Sequence, residues 1–443
     1  MKRHACLWGT PREKPRLQAV HQGHPGCSRS LRQGVALTTD GLLTPELEAA
    51  KTSLGPIHHL DLTSCDIVAA HHELGAEVRH QVETFLLARL GSLDRTQLLR
   101  QVQRARQSRS AILHRLRSRA IDGRVRSAVR AYLHCLSAWT RGAQLDSIVR
   151  RNLKGLLVDG LPVSADDLAI FLQDEEAGCQ TGVLREDERS IIMWHTEESL
   201  EPQGCSRFDK LRLASFRAPG PGLPRVITAF IYPDLLPGSA FAWSGGGFVQ
   251  AVDTLHVRPS DTPSAIPVNA VTWLRLFLGG NGASAGILGA LAPFSGGYAL
   301  TSVYRTASSV HADKVEFAAG MVGSASLPET PGSALFQVNL FSDPTSKIAL
   351  ENEVIDAERR RLLERRIART QRTLRLIARS TDKRSGISRM LTSRVGGGYA
   401  YCNESVKATV IYRMSAEDAS VRVGAGPAIR QDELYAVDWG HTG

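Results

Sequence analysis

Gly178, Cys179 and Glu197 are the residues of this chain whose types and spacing are most suited to chemistry. The pattern predicts a short helical segment that ends near Gly178, followed by strands over 180–184 and 190–194, the second of which leads back to Glu197. A thiol at the start of a strand lies at a sheet edge, where a substrate can reach it. A carboxylate on the returning strand could orient the base that activates this thiol. A single cysteine is more often a small buried hydrophobe, so the spacing alone leaves both interpretations open.

The residues around this pair resemble the cleavage junction of a known enzyme family. It is the acyl-coenzyme A:6-aminopenicillanic acid acyltransferase family of cysteine N-terminal-nucleophile (Ntn) hydrolases. Its members share a Gly-Cys-Thr start and a hairpin ending in Asn-Glu-Asp, which correspond here to Gly178–Thr181 and His195–Glu197, with the same separation of eighteen residues between cysteine and acid. Similar segments follow the family's order over about 66–426: Leu74–Arg79, Gly160–Leu168, Tyr232–Gly238, Ala251–Leu255, Phe336–Phe341, Arg360–Glu364 and Ala408–Val410. Tyr232–Gly238 is the most specific of these, because it nearly reproduces the family's Tyr-Pro-Gly-Leu-Leu-Pro-Gly loop.

The resemblance implies a precursor that cleaves itself between Gly178 and Cys179. Gly178 has no Cβ, so the backbone there can adopt the strained geometry in which the Cys179 thiolate attacks the Gly178 carbonyl. Water resolves the resulting thioester and frees the α-amine of Cys179, whose ordinary pKa of about 8 suits a general base at neutral pH. A substrate acyl group then passes through a second thioester on Cys179. By the same resemblance, Glu197 holds the α-amine and Asn339 donates its amide to the oxyanion.

Several positions depart from the family's pattern. Glu197 is one methylene longer than the family's aspartate, and Ser244–Gly247 replaces an Asn-Glu-x-Gly segment. Asp253 stands where relatives have an asparagine that donates to the oxyanion. An ionised aspartate cannot donate, so either Asn339 and backbone N–H groups suffice or Asp253 is protonated. An alternative function follows: a catalytically degenerate Ntn-fold protein that serves as a binding module for an anionic partner.

We therefore expect an α+β fold in which an α-helical propiece precedes a four-layered αββα Ntn sandwich. The predicted domains are a poorly ordered extension over 1–60, the propiece over 61–178 and the catalytic domain over 179–443. The helical pattern covers about 66–151, and Ser164 is predicted to cap a further helix. After cleavage we expect the propiece and the catalytic chain to remain associated.

The net charge of +10 first suggests nucleic acid as a partner. The arginines are concentrated over 95–130 and 359–379, where aliphatic residues interleave at helical spacing and the aromatic residues that stack on bases are nearly absent. A solvated face of amphipathic helices is therefore favoured over a nucleic-acid surface. We expect a small-molecule N-acyl amide or acyl-coenzyme A as the substrate, with coenzyme A as part of a donor and not as a bound cofactor.

Neither a cofactor nor a metal is expected from the sequence. The pairs His58–His59 and His71–His72 lack the partner spacing of a metal site and are predicted to be solvated helix residues. The seven cysteines are widely spaced without a Cys-x-x-Cys motif, which favours reduced thiols and a cytoplasmic location over a disulfide framework. No segment has the run of about 18 apolar residues that a membrane span needs, and because no apolar stretch follows the basic first residues we do not expect a secretory signal.

Overall fold

The chain has a mixed α and β fold, in agreement with the predicted α+β class. The computed structural model describes these residues: 30–33, 57–117, 121–173, 178–198, 212–218, 225–245, 247–258, 262, 265–279, 289, 291–306, 308–343, 346–391, 406–425 and 435–437. Within them, no helix combines the length and apolar character that a bilayer crossing requires.

Helices dominate the described chain before Gly178. They are α1 (Ile67–Ser92), α2 (Arg95–Arg117), α3 (Gly123–Gly142), α4 (Leu145–Asn152) and α5 (Ala165–Leu172). Helix α5 begins as predicted, because Ser164 and Asp167 satisfy each other's backbone N–H groups in a capping box. It already ends at Leu172, and Gly178 begins a strand, so the prediction of Gly178 as the helix stop is wrong.

Helices α1 and α3 cross with their backbones in contact because each presents a glycine at the crossing. A Cβ atom on Gly75 would lie 2.3 Å from the carbonyl oxygen of Trp139, and one on Gly142 would lie 2.0 Å from the carbonyl oxygen of His72. Since these neighbours are backbone atoms, no side-chain rotation could relieve the clash. The two glycines therefore set the separation of the helices.

A nine-stranded sheet forms one half of the β structure. Its strands are β1 (Ser30–Gln33), β2 (His58–Leu62), β7 (Arg212–Ala218), β8 (Arg225–Ile231), β9 (Phe241–Ser244), β10 (Phe248–Thr254), β11 (Gly297–Arg305), β12 (Val310–Ala318) and β13 (Met321–Ser326), in that spatial order. The pairing is antiparallel except between β2 and β7, which run parallel. Strand β1 lies wholly, and strand β2 mostly, within the predicted extension over 1–60. Most of that segment is outside the described residues.

A six-stranded sheet forms the other half. Its strands are β14 (Ala334–Gln337), β5 (Gly178–Arg185), β6 (Ser190–Glu198), β15 (Val406–Ser415), β16 (Ala419–Ala425) and β17 (Tyr435–Val437), in that order. A separate short hairpin pairs β3 (Leu157–Val158) with β4 (Leu161–Pro162). In the antiparallel β5–β6 hairpin, Cys179 is opposite Glu197 and Thr181 is opposite His195.

The two large sheets pack on each other through one apolar core. Val183, Met193 and Val410 of the six-stranded sheet share this core with residues of the nine-stranded sheet that include Phe241 and Val249. Because successive residues of a strand point to opposite faces, this inner face is also the one on which Cys179 and Glu197 lie. The outer faces are covered by helices.

Helices α8 (Ala357–Ala378) and α9 (Lys383–Leu391) cover the outer face of the six-stranded sheet, where Trp194 belongs to the same buried cluster as residues of both helices. The Trp194 ring lies over Gly182, where a Cβ would come within 1.9 Å of it. Helix α6 (Val268–Leu278) joins α1 and α3 in the cluster on the outer face of the nine-stranded sheet. The short helix α7 (Lys347–Asn352) precedes α8.

His71 contradicts the prediction that it is a solvated helix residue, since its side chain is 1% exposed. Its Nδ1–H donates to the carbonyl oxygen of Ile67 at 2.7 Å, and its Nε2 accepts from the indole N–H of Trp273 at 3.2 Å. These two contacts hold the ring in one neutral tautomer, and burial lowers the pKa of His71 to about 4. Consecutive residues of a helix point about 100° apart, so His71 faces Trp273 of α6 and is buried, whereas the His72 side chain is 43% exposed.

Cys65 corrects a second expectation, that of reduced thiols throughout. It is disulfide-bonded, whereas Cys135 and Cys179 are free cysteines. The candidate nucleophile therefore keeps a free thiol.

Candidate active site

Cys179 lies at the start of β5, facing the core between the two sheets. Its side chain is 2% exposed, and its Sγ donates a hydrogen bond to Oε2 of Glu197 at 3.2 Å. The contact follows from register, because Cys179 and Glu197 are opposite each other in the β5–β6 pair. Cys179 and Glu197 are 18 residues apart in sequence, too far for a single helical turn or tight turn to join them, and the strand pairing brings them into direct contact.

Glu197 is the centre of a buried hydrogen-bond cluster. Besides the thiol, its Oε2 accepts a hydrogen bond from the hydroxyl of Tyr232, which lies in the loop after β8. Its Oε1 contacts Nε2 of His195 at 2.7 Å. A carboxylate with 0% exposure needs such partners, and three different side chains supply them here.

A second chain of hydrogen bonds links this cluster to the nine-stranded sheet. Thr181 donates its hydroxyl proton to Oδ2 of Asp253 at 2.6 Å, and its oxygen contacts Nδ1 of His195 at 2.7 Å. Since the hydroxyl has one proton and gives it to Asp253, Nδ1 of His195 must be the donor in the second contact. The chain thus runs from Asp253 through Thr181 and His195 to Glu197.

Burial and neighbouring charges together set the protonation of the site. It raises the pKa of the Cys179 thiol well above its usual range, and the nearby carboxylates of Glu197 and Asp253 raise it further. Burial also raises the pKa of Asp253 to about 7, although His195 and the Thr181 hydrogen bond oppose this. For His195, burial acts to lower the pKa, but Glu197 and Asp253 outweigh it, and the pKa is raised. The Cys179 thiol is therefore protonated at neutral pH.

The carboxylate next to Glu197 faces the opposite side of the sheet. Glu198 forms a two-point ion pair with Arg366 of α8, with N–O distances of 2.9 and 3.3 Å, and its Oε1 also accepts from the Gln180 amide at 3.1 Å. Gly178 is opposite Glu198 in the β5–β6 register. Arg366 belongs to a helix whose arginines are expected from the sequence to be solvated, but it is 7% exposed. Its ion pair with Glu198 lies on the outer face of the strand pair that contains Gly178 and Cys179.

Asn339 lies just beyond β14 and is 6% exposed. Its Nδ2 donates to the carbonyl oxygen of Thr254 at 2.8 Å, one residue after Asp253. Of the four side chains predicted for the site, Cys179, Glu197 and Asp253 belong to one connected cluster. Asn339 lies outside that cluster and donates one N–H of its side-chain amide to the Thr254 carbonyl oxygen. The same amide is the group expected to donate to the oxyanion.

The sequence pattern alone assigns no role to His195, Thr181 or Tyr232. A period-two pattern could have indicated the first two, since His195 is two residues before Glu197 and Thr181 is two after Cys179, which places all four on one face. Tyr412 is a further residue of this face. Its hydroxyl is buried with no hydrogen-bond partner in the described structure, and burial together with the charge of Glu197 raises its pKa.

The donor atoms of Cys179, His195 and Glu197 all lie within 4.8 Å of one another, close enough for one ion to contact all three. Comparison with protein-family models gives no match for this chain, and comparison with curated proteins gives none. Function is therefore inferred from the chemistry of the site itself.

Proposed function

We propose that the chain is a self-processing cysteine Ntn enzyme that hydrolyses or transfers acyl groups of amides through a thioester on Cys179. The observation that carries the proposal is the 3.2 Å contact between Cys179, the second residue of β5, and Glu197, near the end of β6. Cleavage before Cys179 would turn that strand start into an N-terminus, with a carboxylate already beside it.

The arrangement of layers supports the proposal. Helices lie on the outer faces of two sheets whose inner faces share a core, as would be expected of the proposed αββα sandwich. In the proposed organisation, residues 61–178 are the propiece and 179–443 the catalytic domain. The propiece helices α1 and α3 share the cluster on the nine-stranded sheet, so the two chains would remain associated after cleavage.

The cleavage step uses groups that the cluster already holds. The Cys179 thiol gives its proton to a neighbouring carboxylate, and the sulfur attacks the Gly178 carbonyl carbon. The C–N bond of the peptide breaks as its nitrogen takes up a proton, which leaves a thioester between Gly178 and Cys179. Water hydrolyses this thioester, so the products are a carboxylate at Gly178 and a free thiol and amine on Cys179. Asp253, whose pKa of about 7 lets it exchange a proton near neutrality, is the best-matched group to shuttle it through Thr181.

In the mature enzyme the α-amine of Cys179 would act as the base for its own thiol, with Glu197 holding the amine. The substrate carbonyl is attacked by sulfur, the amine product leaves with a proton, and water or another amine resolves the thioester. Hydrolase and transferase differ only in that last acceptor, and an acyl-coenzyme A would enter as a donor substrate.

The test is acylation of the purified full-length protein by a panel of N-acyl amides and acyl thioesters, followed by peptide mass analysis. We expect an acyl adduct on Cys179 in the wild type and in Cys135→Ala, which removes the other free described cysteine. Cys179→Ser should give no thioester. Failure of every donor to modify Cys179 in a cleaved protein would reject acyl transfer and favour the binding-module alternative.

A further inference from the structure

Three side chains on the inner face of the six-stranded sheet present a sulfur, a nitrogen and an oxygen to one point. The donor atoms of Cys179, His195 and Glu197 lie within 4.8 Å of one another, and none of the three residues is more than 2% exposed. Thiolate, imidazole and carboxylate are the donor types by which proteins bind zinc, commonly three at a time with a fourth position for another oxygen.

His195 is oriented as a metal-binding imidazole is. Its Nδ1–H donates to the hydroxyl oxygen of Thr181, which in turn donates to Asp253. This fixes the ring so that Nε2 is the atom directed towards Glu197 and the thiol. Zinc-binding histidines usually donate their second ring N–H to an oxygen acceptor in this way, because the contact fixes both tautomer and ring orientation.

The charge of the site also suits a zinc ion. Since Nδ1 keeps its proton, the 2.7 Å contact of Nε2 with Glu197 needs another proton, which makes an imidazolium beside a carboxylate and a neutral thiol. Zinc would replace the proton on Nε2 and the proton on Sγ, and both protons would leave to solvent. One zinc ion carries the same charge as the two protons that it replaces. Zinc therefore adds no uncompensated charge to the buried site.

Two further oxygen atoms near this cluster have no hydrogen-bond partner in the described structure. They are the hydroxyl of Tyr412, whose residue is 1% exposed, and Oδ1 of Asp253, whose residue is 0% exposed. The Tyr412 hydroxyl is close enough to Glu197 for the carboxylate charge, after burial, to raise the pKa of Tyr412. Buried polar atoms without partners are uncommon, and a bound ion is one of the arrangements that accounts for them.

We propose that Cys179, His195 and Glu197 bind one zinc ion per chain. No metal is expected from the sequence because the three residues have no metal-site spacing; only the pairing of β5 with β6 brings their atoms together. One consequence rests on the proposed function: a zinc-bound thiolate is not free to attack a carbonyl, so zinc would hold the nucleophile inactive.

The test uses cobalt as a coloured substitute for zinc. Because the three residues are almost fully buried, the metal is supplied during expression of the full-length chain, in zinc-poor medium with cobalt. We expect about one equivalent of cobalt and a thiolate-to-cobalt charge-transfer band in the near ultraviolet. The Cys179→Ser variant should lose this band, and His195→Gln should lower metal content by at least ~10-fold. Cys135→Ala is the matched control and should keep both signals.

A wild-type protein without stoichiometric metal would overturn the zinc site, whether or not the chain is cleaved. Equal metal content in wild type, Cys179→Ser and His195→Gln would also overturn it, because the metal would then lie elsewhere. Cleavage and acylation are read by mass after removal of metal, whereas metal content is read before it, so the failure of this proposal and the failure of the proposed function give different results.

Discussion

Replacement of His71 by glutamine should change how the stability of the fold depends on pH. The neutral His71 ring is fixed between the carbonyl oxygen of Ile67 and the indole N–H of Trp273. A proton on Nε2 would face the Trp273 N–H, donor against donor, with no water to solvate the charge. The folded state therefore excludes the proton that an unfolded chain accepts.

The size of the effect follows from the two pKa values. The pKa of His71 is about 4 in the fold, against 6.5 for an unperturbed histidine. The contribution of neutral His71 to stability is complete above pH 6.5 and is lost as the pH falls towards 4, because the unfolded state binds the proton more readily in that window. The full loss is about 3 kcal/mol, of which about 2 kcal/mol is reached at pH 5.

Thermal unfolding at a series of pH values between 7.5 and 5 measures this effect. At the usual unfolding entropy per residue, about 2 kcal/mol changes the Tm of a chain of 443 residues by roughly 2 °C. The Tm of His71→Gln should therefore fall less than that of the wild type, by about this amount. His72→Gln is the matched control, since the His72 side chain is 43% exposed, and its Tm should follow the wild type. Parallel curves for wild type and His71→Gln would refute the neutral buried ring.

Further predictions concern the helix crossing, the ion pair behind the junction and the hydrogen-bond chain. Gly75→Ala places a Cβ 2.3 Å from a backbone oxygen and should lower the free energy of unfolding by about 2 kcal/mol or more. Gly91→Ala, in the same helix with open space around it, should raise the free energy of unfolding slightly. Equal Tm values for the two variants would contradict the close approach of the helices at Gly75. Arg366→Met leaves Glu198, whose side chain is 13% exposed, without its cation and should lower the free energy of unfolding in urea by about 2 kcal/mol, with a smaller loss when Glu198→Gln is added; additive losses would argue against the pair. Thr181→Val interrupts the chain to Asp253 and should slow self-cleavage by roughly 10–100-fold in a time course by gel, while unchanged kinetics would exclude that role.

Local signals in the sequence predict the parts of the fold that depend on neighbouring residues. Helix α5 begins at the cap supplied by Ser164, and the β5–β6 hairpin follows from two apolar runs separated by turn residues. The opposition of Cys179 and Glu197 follows from that hairpin alone. For this reason the residue spacing is enough to propose these two side chains as partners.

Contacts between distant elements could not be predicted in this way. Tyr232 contacts Glu197 from the loop after β8, and Thr181 pairs with Asp253 across 72 residues of sequence. Strand β2 pairs in parallel with β7 although more than a hundred residues separate them, and no periodicity encodes that choice. The zinc donors illustrate the same limit, because spacing rules for metal sites describe ligands within one turn or loop, whereas strand pairing assembles these.

The mass of the purified full-length protein tests the central claim most directly. If Cys179 is an N-terminal nucleophile, the wild type should separate under denaturing conditions into fragments of 178 and 265 residues, and the larger fragment should begin with Cys179. The Cys179→Ala variant should remain a single chain of 443 residues, and Cys135→Ala should cleave as the wild type does. A wild-type chain that stays intact through prolonged incubation after removal of metal, or a cut that persists in Cys179→Ala, would contradict self-processing at this cysteine.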